Sequence, residues 1–191
     1  MRSLLGVFGA VGRWPDWERF FDVSQAGLYR SLAALLVCFP ALWLVLTQTL
    51  DASAVQQGER LDSFVPPTPD VGLFTGIVSA WLIVFVAVPF IIAVLMRRTE
   101  RLTLWLVARH WALTWLCLAL GVVFALSTFT PLPFAVANGA LFAAYLGLLP
   151  IEIRLAQRAA GFPFMTAILV GCIIISTPLV VLMTGVLLVL Q

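Results

Sequence analysis

Apolar residues in this chain come in continuous runs of about 20, and that length limits the fold more than any other feature. A run of that length matches the hydrocarbon thickness of a bilayer when it is helical. The alternative spanning structure, a closed barrel, needs alternating strands of about ten residues, and no such alternation is present. Composition agrees. The chain is 62% hydrophobic and only 10% charged, against about 45–50% and 25% in soluble domains. A core made from 191 residues has too little polar surface to cover that excess. The fold expected is all-α: a polytopic transmembrane helical bundle of about five spans with interfacial helices. The spans are placed at about 31–50, 71–96, 111–129, 134–151 and 164–190.

Ahead of them, residues 1–30 read as a cytoplasmic amphipathic segment, separate from the five-span domain 31–191. Leu4 to Val11 is near the lower length limit of a signal-peptide core. No small-residue cleavage site precedes Arg13, so the stretch reads as a short interfacial segment. In the next stretch, Trp14, Trp17, Phe21 and Leu28 share a helical face, as in a helix lying in the headgroup region. Asp22, with Gln25 three positions later, fits a capping box, so a second helix is predicted to start at an elbow there. Asp51 to Asp70 reads as an acidic, proline-containing loop, and Pro131-Leu132-Pro133 as a tight turn. Thr99 to His110 carries Arg101, Arg109 and His110. A charged residue exposed at mid-membrane costs several kcal/mol, so this stretch is placed in the interface, with the third span starting near Trp111. Arg154 to Gly161 reads as a polar connector.

All 11 basic residues are arginines, and ten of them fall on one side of this layout; only Arg60 falls on the other. Positive charge in short flanking loops stays in the cytoplasm. The N-terminus is therefore expected in the cytoplasm of a bacterial inner membrane, and the C-terminus in the periplasm.

Spans associate through small residues that allow close backbone approach. Ala135, Gly139, Ala143 and Gly147 form such a stripe on the fourth span; Gly72, Gly76 and Ala80 form one on the second, and Cys117, Gly121 and Ala125 one on the third. The four-member stripe is expected to face a neighbouring helix, and Gly72, Gly76 and Ala80 are candidates for the same packing, whereas a single triplet can arise by chance in a chain this rich in alanine and glycine. Pro40, Pro89, Pro150 and Pro178 fall inside spans, where each frees a carbonyl, for a hinge or for ordinary bending. Ser176 and Thr177 are placed to re-satisfy the backbone beside Pro178.

Chemistry-bearing groups are sparse. No phosphate loop, nucleophile elbow, zinc-protease pattern or carboxylate pair occurs. Cys38, Cys117 and Cys172 lie in apolar runs and read as space-filling thiols. Glu152 is expected to pair with Arg98 or Arg109, or else to act as a lone coupling carboxylate; His110 reads as an interfacial anchor. Asn138, an amide within apolar sequence, is expected to bond across helices or to touch a permeating solute. Arg97, Arg98, Arg101, Arg109, Arg154 and Arg158 form either a basic collar for anionic lipid phosphates or simply the charges that hold the topology. No catalytic residue, metal ligand or cofactor is expected, and no basic cluster points to nucleic acid.

The runs FFDVSQAGLYRSL (Phe20 to Leu32), LWLVARHW (Leu104 to Trp111) and LGLLPIEIRLAQRAAG (Leu146 to Gly161) together resemble uncharacterised proteobacterial five-span proteins. Those share with Yip1-type membrane proteins a cytoplasmic N-terminal segment followed by five spans. The resemblance implies a membrane-organising or partner-binding role and assigns no site residue. The function expected is that of a non-enzymatic inner-membrane protein acting through the bilayer, other membrane proteins or copies of itself. The alternative is a small oligomeric transporter or channel subunit.

Overall fold

The structure, a computed structural model, describes residues 1–58, 70–130 and 133–189, with the backbone alone for 50–58, 182–183 and 185–189. Arg60, the Pro131-Leu132 turn and Gln191 lie outside the described residues. The helices are α1 (Arg2–Val11), α2 (Gln25–Ala34), α3 (Cys38–Gly58), α4 (Val71–Leu95), α5 (Leu102–Phe129), α6 (Phe134–Arg158) and α7 (Phe164–Val189). Short 3₁₀ turns lie at Trp17–Phe20, Leu35–Val37 and Thr99–Arg101, and the described residues contain no strand. Five segments are long and apolar enough to cross a membrane: Gln25–Thr49, Val71–Leu95, Thr99–Phe129, Phe134–Arg158 and Phe164–Val181. The chain is an all-α membrane bundle.

Local chemistry sets where these helices start and stop. The second span opens on Asp70, whose side chain accepts from the Leu73 amide at 2.8 Å. It closes after Met96 through an Arg98 amide bond to the Ala93 carbonyl at 2.8 Å, with Arg97 in left-handed backbone at φ 53°. The first span is in two pieces. Pro40 has no N–H for the carbonyl four residues back, and the chain tightens into the turn Leu35–Val37 between α2 and α3. The cap of α2 is Ser24, not Asp22: the Ser24 hydroxyl accepts from the Gly27 amide at 3.1 Å. Asp22 is engaged one step earlier, accepting from the Ser24 amide at 3.1 Å. Hydrogen bonds from Ser24 hold the Asp22 carboxyl below its ordinary value. The expected elbow is present. A Cβ at Gly27 would fall 1.9 Å from the Asp22 carbonyl oxygen, so only glycine lets the chain double back here.

Three expectations are corrected. α3 continues to Gly58, into the predicted acidic loop. α6 continues to Arg158, so Glu152, Arg154 and Arg158 extend the fourth span instead of forming a connector. Nor is Leu102 to His110 a separate interfacial helix; it forms the first turns of α5, which runs unbroken to Phe129.

The N-terminal aromatic segment does not lie face down on headgroups. Trp17 and Phe21 are buried against α1, which itself packs on α5 and α6. Glycines in α1 make the space: a Cβ at Gly6 would meet the Phe21 ring at 2.6 Å, and one at Gly9 would meet Trp17 Cβ at 3.0 Å. The segment 1–21 is thus a layer docked on the bundle.

Among the spans, α5 packs on α2, α3 and α6, while α7 packs on both α4 and α6. The largest apolar cluster sits at the arginine-bearing end and joins Val7, Trp17 and Phe21 to Ala93, Trp105, Leu155, Phe162 and Ile174. Toward the opposite end the core shrinks to Val45, Phe124 and Ala137 with a few half-buried neighbours.

Candidate functional site

Proline chemistry in α4 prepares the most polar spot in the interior. Pro89 cannot donate to the carbonyl four residues back, which leaves the Phe85 oxygen free inside the bundle. Arg109, about 10 Å along α5 from its start, donates its Nη1 to that oxygen at 3.0 Å. Its Nε donates to Glu152 Oε2 of α6 at 2.7 Å. The side chain of Arg109 is 0% exposed and that of Glu152 2%. The guanidinium lies over the Phe85 ring, 4.2 Å from its centroid, and 6.0 Å from the Trp105 centroid. One cation thereby ties α4, α5 and α6 together. This corrects the interfacial placement of Arg109. The cost of immersing the charge is met by protein partners, because the side chain points into the bundle and not into lipid.

His110, next along α5, is buried as well, not an interfacial anchor. Its Nδ1 lies 2.9 Å from Ser31 Oγ, and that hydroxyl donates to the Leu28 carbonyl at 2.8 Å. With its one proton so used, Ser31 accepts, which assigns the Nδ1–H tautomer to His110. Nε2 is then a bare lone pair without a partner, as it is in the structure. Arg109 Nη2 and Trp105 Nε1 are the other buried side-chain nitrogens with no partner among the described residues. The arrangement is a polar bolt through α2, α4, α5 and α6. Among the described residues no group of three or more His, Cys, Asp or Glu side chains is placed to hold a metal ion.

The remaining arginines of the expected collar divide. Arg97, Arg98 and Arg101 come together with Glu100 around a cavity of about 400 Å³ that reaches Gly161. Arg158 is turned away from it. Its Nη1 donates to the Gly9 and Ala10 carbonyls at 2.9 and 3.0 Å, and its Nη2 to Trp14 O at 2.9 Å. It thus caps the carbonyl end of α1, where a cation also suits the helix dipole. Arg154 donates to Gln157 Oε1 at 3.2 Å. The six arginines therefore form no single collar.

The small-residue stripes divide too. On α5, Cys117 is buried beside Cys38, and a Cβ at Gly121 would meet Ala41 Cβ at 3.2 Å, so this stripe faces α3. Gly72, Gly76 and Ala80 of α4 are exposed, as are Ala135, Gly139 and Ala143 of α6, with Gly147 half-buried. A Cβ at Gly76, Gly139 or Gly147 would meet nothing within 4 Å. Among the described residues these two stripes face no helix, which corrects the expectation for the four-member stripe of α6 and for the candidate triplet of α4. Asn138 lies exposed on the same side of α6, near the helix start, with no hydrogen bond among the described residues.

Several working residues carried no sequence signal that marked them. Gly171 is the close approach of α6 to α7, where a Cβ would fall 2.8 Å from Ile153 Cγ1. Gln48 donates to the Phe124 carbonyl at 2.8 Å, contacts Thr128 Oγ1, and accepts from Ser127 Oγ at 2.8 Å. The Ser176 and Thr177 hydroxyls reach the Ile173 carbonyl, not the one that Pro178 frees. No protein-family model matches this chain, and no curated protein or solved structure matches it either.

Proposed function

We propose that this chain is a non-enzymatic integral protein of the bacterial inner membrane that works through contacts with other membrane proteins, a second copy of itself included, and with lipid. The N-terminus lies in the cytoplasm and the C-terminus in the periplasm, as the arginine distribution favours. The observation that carries the reading is the outward face of α6. Ala135, Gly139, Ala143 and Gly147 run along about 18 Å of helix, with no helix packed on them among the described residues. Such a face is the surface on which a neighbouring helix packs closely in a bilayer. Asn138 beside it offers a donor and an acceptor to the same neighbour. Its outward position supports a contact role over a path for solute between these helices. The Yip1-type layout belongs with the same reading.

The test is association in vesicles, read by energy transfer between labelled copies and by proteins that copurify. Gly139→Leu with Gly147→Leu should abolish association without lowering the thermal midpoint, because a Cβ at either position meets nothing within 4 Å among the described residues. Undiminished association in the double variant, or a wild type that is monomeric and copurifies with nothing, would overturn the reading.

A further inference from the structure

α2 and α4 stand on either side of Leu106 of α5. Toward the end opposite the arginines α3 and α4 are joined by an edge-to-face contact of Trp43 with Phe74, at 4.9 Å between ring centroids. Between the two arms lies a groove of about 470 Å³ that opens sideways, away from the bundle. Its walls include Leu32 and Leu36 on one arm, Ile83, Val86 and Phe90 on the other, and Leu106 of α5 forms its floor. Leu36, Ile83 and Phe90 are exposed, while Leu106 is buried.

From this groove we infer that the protein holds one anionic glycerophospholipid, an acyl chain between α2 and α4 and its phosphate at the arginines above. Two observations choose this occupant over a partner helix. Apart from Ala87 the walls are leucine, isoleucine, valine and phenylalanine, whose bulk keeps a second backbone away, whereas helix-packing faces need a stripe of small residues. Those small residues are elsewhere, on α6 and at the far end of α4. A flexible hydrocarbon chain fits between branched side chains without such an approach. The mouth has the charge that a phosphate needs. Arg97 and Arg98 come just past the end of α4, seven and eight residues after Phe90, are exposed, and have no ion pair among the described residues, although Glu100 shares their cavity. On the other arm the exposed Tyr29 lies one turn before Leu32, at the level where interfacial aromatics meet headgroups. Arg30 next to it is paired with Asp22 at 3.3 Å, with both side chains largely exposed. The fork geometry of two free guanidiniums suits a phosphate.

The proposal deepens the lipid part of the contact reading and is independent of the α6 face. It is tested on full-length protein reconstituted in vesicles of equal parts phosphatidylethanolamine and phosphatidylglycerol. The protein is then extracted in mild detergent and weighed by intact-complex mass spectrometry. Wild type should keep one phosphatidylglycerol per chain. An Ile83→Cys variant in a Cys172→Ser background, alkylated with a bulky maleimide after folding, should lose it at least ten-fold, because the groove is filled without touching the folding step. Arg97→Gln with Arg98→Gln should keep a lipid but lose the preference for the anionic one by about ten-fold or more. Full lipid retention after alkylation would overturn the groove, and an unchanged preference in the arginine variant would overturn the mouth. A protein crosslinked through position 83 would overturn the choice of lipid. Copy number is read from the same spectra, so loss of self-association and loss of the lipid register separately.

Discussion

The two ends of this bundle are built differently. At the arginine-bearing end, α4, α5, α6 and α7 share one large cluster with the N-terminal layer, and the Arg109 bolt runs through it. At the opposite end the cluster is small, and α3 is held to α5 chiefly through Gln48 and its partners. In lipid, apolar surface alone gives little drive for helices to meet, so directional bonds and close backbone approach decide where a bundle is tight. The tight end is where a proline-freed carbonyl, a carboxylate and a glycine notch coincide.

The largest test of this contrast is Glu152→Leu. It leaves Arg109 buried with the Phe85 carbonyl as its one hydrogen-bonded partner among the described residues, and loss of one member of a buried pair costs about 3–5 kcal/mol. Unfolding of the reconstituted protein by a denaturing detergent should show that loss. Arg109→Leu combined with Glu152→Leu should recover most of it, since the penalty comes from the stranded charge. A single variant within 1 kcal/mol of wild type would mean that the bolt does not lock the tight end.

Next in size is a pair of glycines. Gly171→Ala forces a Cβ to 2.8 Å from Ile153 Cγ1 and 3.2 Å from the Ile153 amide nitrogen, an overpacking that costs about 1–3 kcal/mol. Gly139→Ala meets nothing, and a helical alanine is favoured over glycine by up to about 1 kcal/mol. The same assay on both should give opposite signs. Equal destabilisation would erase the distinction between an internal and an outward small-residue face.

Arg158→Ala comes third. It removes the guanidinium donor to the Gly9, Ala10 and Trp14 carbonyls, of which Gly9 O keeps the Trp14 amide, and it removes the cation that lies 5.5 Å from the Trp17 ring centroid. The expected cost is about 1–2 kcal/mol, confined to the N-terminal layer. Faster amide exchange in α1 with no change at α5 would place it there, and a uniform change would show that the layer and the bundle unfold together.

These residues also mark what the sequence made legible. The five spans were readable because bilayer thickness sets the length of an apolar run, and the Glu152 partnership followed from opposite charges on adjoining spans. The depth of Arg109 was not readable. Charge alone argues for the interface, and the counter-argument is three-dimensional: a carbonyl on α4 and a carboxylate on α6 reaching one point. Half of it was nonetheless in the sequence, since Pro89 names Phe85 as the freed acceptor. Spacing picks out the small stripes of α4, α5 and α6 equally. Which side of its helix a stripe faces depends on the order of helices around the bundle, and periodicity carries no record of that order. Ser31 and Gln48 look like any polar residue near the end of a span until their partners are known.

Gln48 gives the smallest and most discriminating prediction. Its amide bridges α3 to the Phe124 carbonyl and the Ser127 and Thr128 hydroxyls of α5. Those hydroxyls have an acceptor within their own helix: Ser127 can give its one proton to Phe124 O, 2.7 Å away, in place of Gln48, and Thr128 donates to Phe124 O at 3.1 Å. Removing Gln48 therefore strands none of them. A hydrogen bond between membrane helices contributes about 0.6 kcal/mol on average, so Gln48→Leu should cost roughly 0.5–1 kcal/mol. The effect should appear as faster exchange or easier crosslinking at the far ends of α3 and α5, with the Arg109 region unchanged. A cost near that of Glu152→Leu would mean that the far end is locked as firmly as the tight one. The difference between them would then lie in apolar packing alone, not in the directional bonds.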